Sequence, residues 1–287
     1  AGFWDSGGIH GPSVHLDAAS GQLVLFYEAT TNLNPPLDCR RNASVPRLDL
    51  SKTRRIGAAS ARTPDGPWER LDQPLLAPRP APAWDAGDVS NAAPLILPNG
   101  TTLLGYRAGG DGVALGGGIG VAISPSWRGP FERVGDSTHK MLLAAEDGAL
   151  YRDTNGRYHM LVHRFAGANG STGGIAVGGH AWSADAKTWR YDDDEVAYTA
   201  AVSWQNGSDS SVLYRRERPK PVVDDETGHL SALFNGAWPC HVGAEDDDSL
   251  DGTAGCWTYT LVTDVRSRSE RTTTALMGRQ AAGRTHW

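Results

Sequence analysis

Residues 12–29 read PSVHLDAASGQLVLFYEA: a strand-like run, a polar turn around Ser20-Gly21, and a second strand-like run ending in the aromatics Phe26 and Tyr27. The same block returns as PLILPNGTTLLGYRA at residues 94–108, as GALYRDTNGRYHMLVHRF at 148–165 and as PKPVVDDETGHLSALFNG at 219–236. Alternation of apolar and polar residues on both sides of a turn is the pattern of a half-buried antiparallel strand pair. Recurrence every roughly 40 to 60 residues, with about four strands per unit, is how a β-propeller writes itself into sequence.

A second repeat supplies the other half of each unit. Residues 56–71 (IGAASARTPDGPWERL) and 119–134 (IGVAISPSWRGPFERV) align without a gap, from Ile-Gly to Gly-Pro-aromatic-Glu-Arg, and a looser copy, GGHAWSADAKTWRY, fills 178–191. Each reads as strands three and four of a blade. Trp68, Phe131 and Trp189 recur at one place in these copies, which marks them as blade packing. Apolar residues at helical spacing are sustained nowhere, so the fold class expected is all-β, with one propeller domain over residues 1–287. Residues 266–287 carry no inner-strand copy and read as an irregular tail or as part of a degenerate last blade.

The composition agrees. With 35 Gly, 17 Pro and 10 Trp against 3 Met, the chain is suited to tight turns between short strands. A net charge of -6 without a clustered basic face argues against nucleic acid as a partner, and no apolar stretch is long enough to span a membrane. A monomer or weak oligomer is expected. The chain opens at Ala1-Gly2-Phe3-Trp4 without an initiator Met or a signal peptide, the beginning expected of a processed or trimmed chain. Sequons at Asn42, Asn99, Asn169 and Asn206 fall in polar, turn-like segments, and Cys240 and Cys256 flank an acidic loop that a disulfide could close. Both features lean towards a secreted glycoprotein. The run from Glu245 to Asp248 reads as a solvated loop.

Inner strands of a propeller run beside its axis, so equivalent early positions converge on one mouth. Aligned on the start of each block, the residues two positions before it are His10, Ala92, Glu146 and Glu217, and those one position before are Gly11, Ala93, Asp147 and Arg218. Glycoside hydrolysis needs two carboxyl groups about the scissile bond, one to give a proton and one to act as base or nucleophile. Glu217 and Glu146 form the obvious pair, with Arg218 and Asp147 beside them to separate their environments.

These residues resemble the five-bladed propeller glycosidases, the superfamily of glycoside hydrolase families 32, 43, 62, 68 and 117, over most of the chain. Glu217-Arg218-Pro219 looks like the Glu-Cys-Pro motif of the family 32 type, which implies Glu217 as general acid. Glu146-Asp147-Gly148 looks like its Arg-Asp-Pro motif, which implies Asp147 as the carboxylate that binds substrate hydroxyls. On the family 43 analogy a Glu-Gly-Pro in the third blade carries the acid, and that residue is Glu146. Both types place Asp before the first-blade proline, where this chain has His10-Gly11-Pro12. The base is then Asp88, Asp85 or Asp5, or His10 with a water.

In the alternative reading the chain is a catalytically inactive carbohydrate-binding or scaffold propeller. The segment from Trp84 to Asn91 matches the region where family 43 enzymes keep sugar-binding residues, so Asp85, Asn91 and Trp84 join Arg218, His10 and Asp147 as substrate-binding candidates, with Asp88 ranked above Asp85 as a catalytic one. His180 resembles a histidine that contacts substrate or a central ion, whereas His159 and His163 share a strand face and read as packing. A carbohydrate substrate is implied, with no cofactor required and no metal ligand assigned. A structural calcium near the axis stays open.

Overall fold

The strand pairs announced by the first repeat are β1 (Gly8–Asp17) with β2 (Gln22–Thr30), β5 (Asp88–Ile96) with β6 (Thr102–Gly109), β9 (Ala145–Arg152) with β10 (Tyr158–Arg164), and β15 (Arg215–Val223) with β16 (Leu230–Trp238). The second repeat supplies β3 (Arg55–Ala61) and β4 (Glu69–Arg70), β7 (Gly118–Ser124) and β8 (Glu132–Arg133), and β11 (Val177–Ser183) and β12 (Trp189–Tyr191). They assemble as the antiparallel sheets β1-β2-β3-β4, β5-β6-β7-β8 and β12-β11-β10-β9, each a four-stranded blade. A fourth sheet, β15-β16-β17, ends on β17 (Tyr259–Asp264), and β13 (Ala201–Val202) pairs with β14 (Ser211–Val212). This computed structural model describes residues 3–31, 54–109, 118–135, 145–164, 177–192, 195–204, 210–224, 226–238 and 258–265. No helix occurs among them.

The chain divides into two compact units, Ala1–Glu146 and Asp147–Trp287, with the division falling inside β9. In the first unit the alternate residues Val24, Phe26, Ile56 and Ala58 of the first sheet pack with Val89, Leu104, Tyr106 and Ala122 of the second. In the second unit Tyr151, Leu161, Tyr198 and Leu233 form one cluster, and Val202, Leu213, Ala237 and Leu261 another.

A device repeated in the first unit ties each blade to the segment that precedes it. Trp4-Asp5 stands before β1 and Trp84-Asp85 before β5. Trp4 stacks on Tyr27 with centroids 5.7 Å apart, and Trp84 stacks on Tyr106 at 5.8 Å. Both rings lie against a glycine of the third strand, Gly57 and Gly120, where any Cβ would run into them. The aspartates finish the lock. Asp5 accepts the Tyr27 hydroxyl at 2.9 Å and the Arg70 guanidinium at 3.0 Å. Asp85 accepts the Tyr106 hydroxyl at 3.3 Å and lies 2.7 Å from Arg133 Nε, with Arg79 Nε donating to its other oxygen at 2.6 Å. Arg70 and Arg133 hold the same place in the two aligned repeats, which accounts for the arginine of their shared Glu-Arg.

Each inner strand also carries a left-handed residue near its start: Gly11 (φ 56°), Asn91 (φ 49°), Asp147 (φ 53°) and Arg218 (φ 54°). In β1, β5 and β15 the pairing register shifts there, between His10 and Ser13, Ser90 and Ala93, and Glu217 and Lys220. This is a β-bulge, which bends a strand and re-aims the side chains beside it. The bulges correct the sequence alignment in the second blade, where the equivalents of Glu217-Arg218 are Ser90-Asn91 and not Ala92-Ala93. Aligning on proline misses this because Ala92 takes the place held by Pro12 and Pro219.

Candidate active site

In the second unit Asp147 is the left-handed residue at the start of β9, Glu217 and Arg218 stand at the bulge of β15, and the far end of β10 adds His163. His163 Nδ1 lies 3.7 Å from Glu217 Oε2, and Arg218 Nη1 lies 3.8 Å from Asp147 Oδ1. One ligand atom each of Asp147, His163 and Glu217 falls within 4.8 Å of the others. The Glu217 side chain keeps 15% of its exposure while His163 keeps 3%, so the carboxyl group can meet a solute and the imidazole backs it from inside. Reading His163 as simple packing is therefore corrected: it shares a face with His159, but its end of the strand faces the carboxylate.

Glu217 rests on a buried scaffold. Arg216, 1% exposed, donates from Nε to Asn235 Oδ1 at 2.9 Å, from Nη1 to the Thr199 carbonyl at 3.0 Å and from Nη2 to Thr263 Oγ1 at 2.8 Å. Its guanidinium lies over the Tyr198 ring, 4.9 Å from the centroid. Burial lowers the Arg216 guanidinium to about 10, and burial raises the Tyr198 phenol. Asn235 Nδ2 then donates to the Glu217 carbonyl at 3.3 Å, which fixes the backbone that carries the acid.

Asp147, His163 and Glu217 could be bridged by a cation. An imidazole in the set and a guanidinium already on Asp147 do not fit calcium, which takes six to eight oxygen ligands.

In the first unit His10 is exposed on β1, directly opposite Glu28 of β2. Asn91 occupies the second-blade bulge, and its backbone N–H donates to Glu28 Oε2. Asp88 opens β5, 3.7 Å from Arg54, and burial raises its carboxyl above the usual range against the lowering charges of Arg107 and Arg54. Glu146 is 3.3 Å from Arg107 Nε. Glu146 and Glu217 each precede a left-handed residue, but a guanidinium engages the first and an imidazole the second.

Three of the expected substrate contacts have other roles. Asp85, at 0% exposure, is spent on Arg79, Arg133 and Tyr106, and Asp5 is held in the same way. Trp84 is buried against Tyr106 in the core and offers no stacking face for a sugar. His180 sits on β11, the third strand of its blade, where its Nε2 shares a hydrogen bond of 3.0 Å with His159 Nδ1; His159 Nε2 in turn lies 3.4 Å from Asp153. Cys39, Cys240, Cys256 and the sequons at Asn42, Asn169 and Asn206 lie outside the described residues.

No protein-family model matches the sequence, and no curated protein does. Solved structures do. An endo-1,4-beta-xylanase from Bacteroides thetaiotaomicron is 16% identical, with 90% of this chain and 71% of that one covered and a TM-score of 0.53. An endo-arabinase from the same organism is 15% identical over 92% of this chain and 79% of that one, with a TM-score of 0.53. An alpha-L-arabinofuranosidase from Lactobacillus brevis is 11% identical over 90% and 73%, with a TM-score of 0.54. The fold is a β-propeller. Four of the propeller's blades lie among the described residues, and its structural neighbours are glycoside hydrolases.

Proposed function

We propose that this propeller is a glycoside hydrolase that cleaves a glycosidic bond in an oligo- or polysaccharide, with Glu217 as the proton donor to the leaving oxygen. The observation that carries the reading is the grouping of Glu217 with Asp147 and buried His163 on a backbone held by Arg216 and Asn235. A carboxyl group fixed in place, partly exposed and backed by groups that can take up charge is what general acid catalysis requires. Asp147 and Arg218 bind sugar hydroxyls beside it. Glu146, engaged by Arg107, is the less suited donor of the two glutamates.

The xylanase and arabinan-cleaving neighbours make xylan, arabinan and the 4-nitrophenyl glycosides of xylose and arabinofuranose the first substrates to try. Secretion fits the reading, and Asn99 in the exposed β5–β6 turn is a place where a glycan would be tolerated. Glu217→Gln should lower kcat by about 10²- to 10⁴-fold with little change in KM. Full activity in Glu217→Gln would remove the assignment. Wild-type protein that binds these glycans and cleaves none would instead support the carbohydrate-binding reading, which glycine at position 11 favours.

A further inference from the structure

The strand that carries Glu217 is strongly basic. β15 reads RRERPKPVV, so four cationic side chains, Arg215, Arg216, Arg218 and Lys220, surround one carboxyl group. The chain as a whole carries a net charge of -6. A concentration of one sign on a strand is ordinarily met by opposite charge across the sheet, and here it is not: β16, LSALFNGAW, contains no Asp or Glu. We propose that the site takes a glycan bearing an anionic group, a carboxylate or a sulfate ester, on a sugar next to the scissile bond, held by Arg215, Arg218 and Lys220. The inference rests on the hydrolase reading above.

The first support is placement. Arg215, Glu217 and Lys220 stand opposite Trp238, Gly236 and Phe234 of β16. These partners are two residues apart, so the three side chains share one face of the sheet, in rows roughly 7 Å apart. Glu217 occupies the middle row, with a cation on each side at a distance comparable to one sugar residue. Arg218 adds a third cation from the bulge between Glu217 and Lys220, in the left-handed conformation. Arg215, Arg218 and Lys220 are all exposed.

The second support is the lack of internal counter-charge. Among the described residues no carboxylate comes within 4.0 Å of Arg215 or Lys220. Arg215 lies over the rings of Tyr214 and Trp238, 5.5 and 4.8 Å from their centroids, and a stacked guanidinium keeps its in-plane N–H groups for a planar oxyanion. Arg218 is 3.8 Å from Asp147, beyond hydrogen-bond reach, with 59% of its side chain exposed. Arg54, Arg70, Arg79, Arg107 and Arg133, by contrast, each face a carboxylate. Behind the exposed cations Arg216 adds a buried charge whose three acceptors, on Asn235, Thr199 and Thr263, are all neutral. Folding gains little from grouping like charges. An anionic ligand turns the same grouping into affinity and selectivity.

The test measures Kd by affinity gel electrophoresis with two matched pairs of glycans: polygalacturonate and its carboxyl-reduced form, and κ-carrageenan and its desulfated form. The proteins are wild type, Arg215→Gln, Lys220→Gln, the double variant, the charge-conserving Lys220→Arg, and Lys187→Gln, which removes an exposed cation from the β11–β12 turn. Wild type should bind the anionic member of one pair at least about fivefold more tightly than the neutral one at low salt. Each glutamine variant at 215 or 220 should reduce that preference about two- to fivefold, and the double variant should lose most of it. Lys220→Arg and Lys187→Gln should keep it. Preference within the first pair assigns a carboxylate, and within the second a sulfate ester. Equal binding within both pairs overturns the inference, as does a preference that survives in the double variant or falls equally in Lys187→Gln. Reducing-end release on the same glycans and on arabinan keeps the two readings apart. Cleavage of a neutral glycan without anionic preference removes this inference and leaves the hydrolase, whereas a preference lost in the double variant, with no glycan cleaved, removes the hydrolase and leaves the anion-binding site.

Discussion

Replacing Asp85 by asparagine tests whether the Trp-Asp segments are structural locks. Asp85 has no exposed surface, and its two oxygens meet Arg79 at 2.6 Å and Arg133 at 2.7 Å. Asparagine keeps the volume but removes the charge and leaves two guanidinium groups facing an amide. Breaking a buried ion pair by removing one partner costs about 3 to 5 kcal/mol. The arginine side chains retain 23% and 17% of their exposure, so water relieves part of the loss and the low end, about 3 kcal/mol, applies. Asp5 is the internal control. It meets one guanidinium, and that side chain is 32% exposed, so Asp5→Asn should cost about 1 to 2 kcal/mol.

For a chain of this size each kcal/mol moves Tm by roughly 2 to 4 °C, which gives Asp85→Asn a fall of about 6 to 12 °C and Asp5→Asn a clearly smaller one. Differential scanning calorimetry at one scan rate measures both. Kinetic constants taken well below the transitions should match wild type in both variants. An Asp85→Asn protein with unchanged Tm and a raised KM would refute the lock and return Asp85 to the substrate site; a larger loss for Asp5 than for Asp85 would refute the burial argument.

Two further outcomes follow from the second unit. Gly178→Ala places a methyl group against the Tyr198 ring, which backs Arg216, and should cost about 1 to 3 kcal/mol of stability in urea unfolding; a neutral result would mean the ring is not seated there. Burial and the neighbouring His159 lower His180 to about 4, while its unfolded form titrates near 6.5, so the unfolded chain binds more protons between those values. The stability present above pH 6.5 should therefore fall by up to about 3 kcal/mol as the pH drops towards 4, and His180→Gln should flatten that dependence of Tm. An unchanged slope in the variant would place the titration elsewhere.

The blades were legible because alternation and turn chemistry act locally: each run of period two became a strand, and both repeats fell on the expected strand pairs. The bulges were legible only where proline follows the left-handed residue directly, at Pro12 and Pro219; Ala92 hid the one in the second blade. Trp4-Asp5 and Trp84-Asp85 were visible as repeated letters, but their ion pairs reach Arg70 and Arg133, about fifty to sixty-five residues away, and such partners follow from packing alone. Glu28 escaped notice for a related reason. Attention to the first strand of each blade passes over Glu28, which stands on the second, opposite His10.

The backbone itself separates the left-handed positions by use. A non-glycine residue in the left-handed region costs about 1 kcal/mol or more, a cost proteins tend to keep where the side chain is needed. Asp147 and Arg218 bear it beside Glu217, and Asn91 bears it where its N–H meets Glu28. Gly11 bears almost none. Of the four left-handed positions, it is the one without a side chain to present, and the Glu28 carboxyl group of the adjacent strand, which accepts the Asn91 N–H, lies beside it.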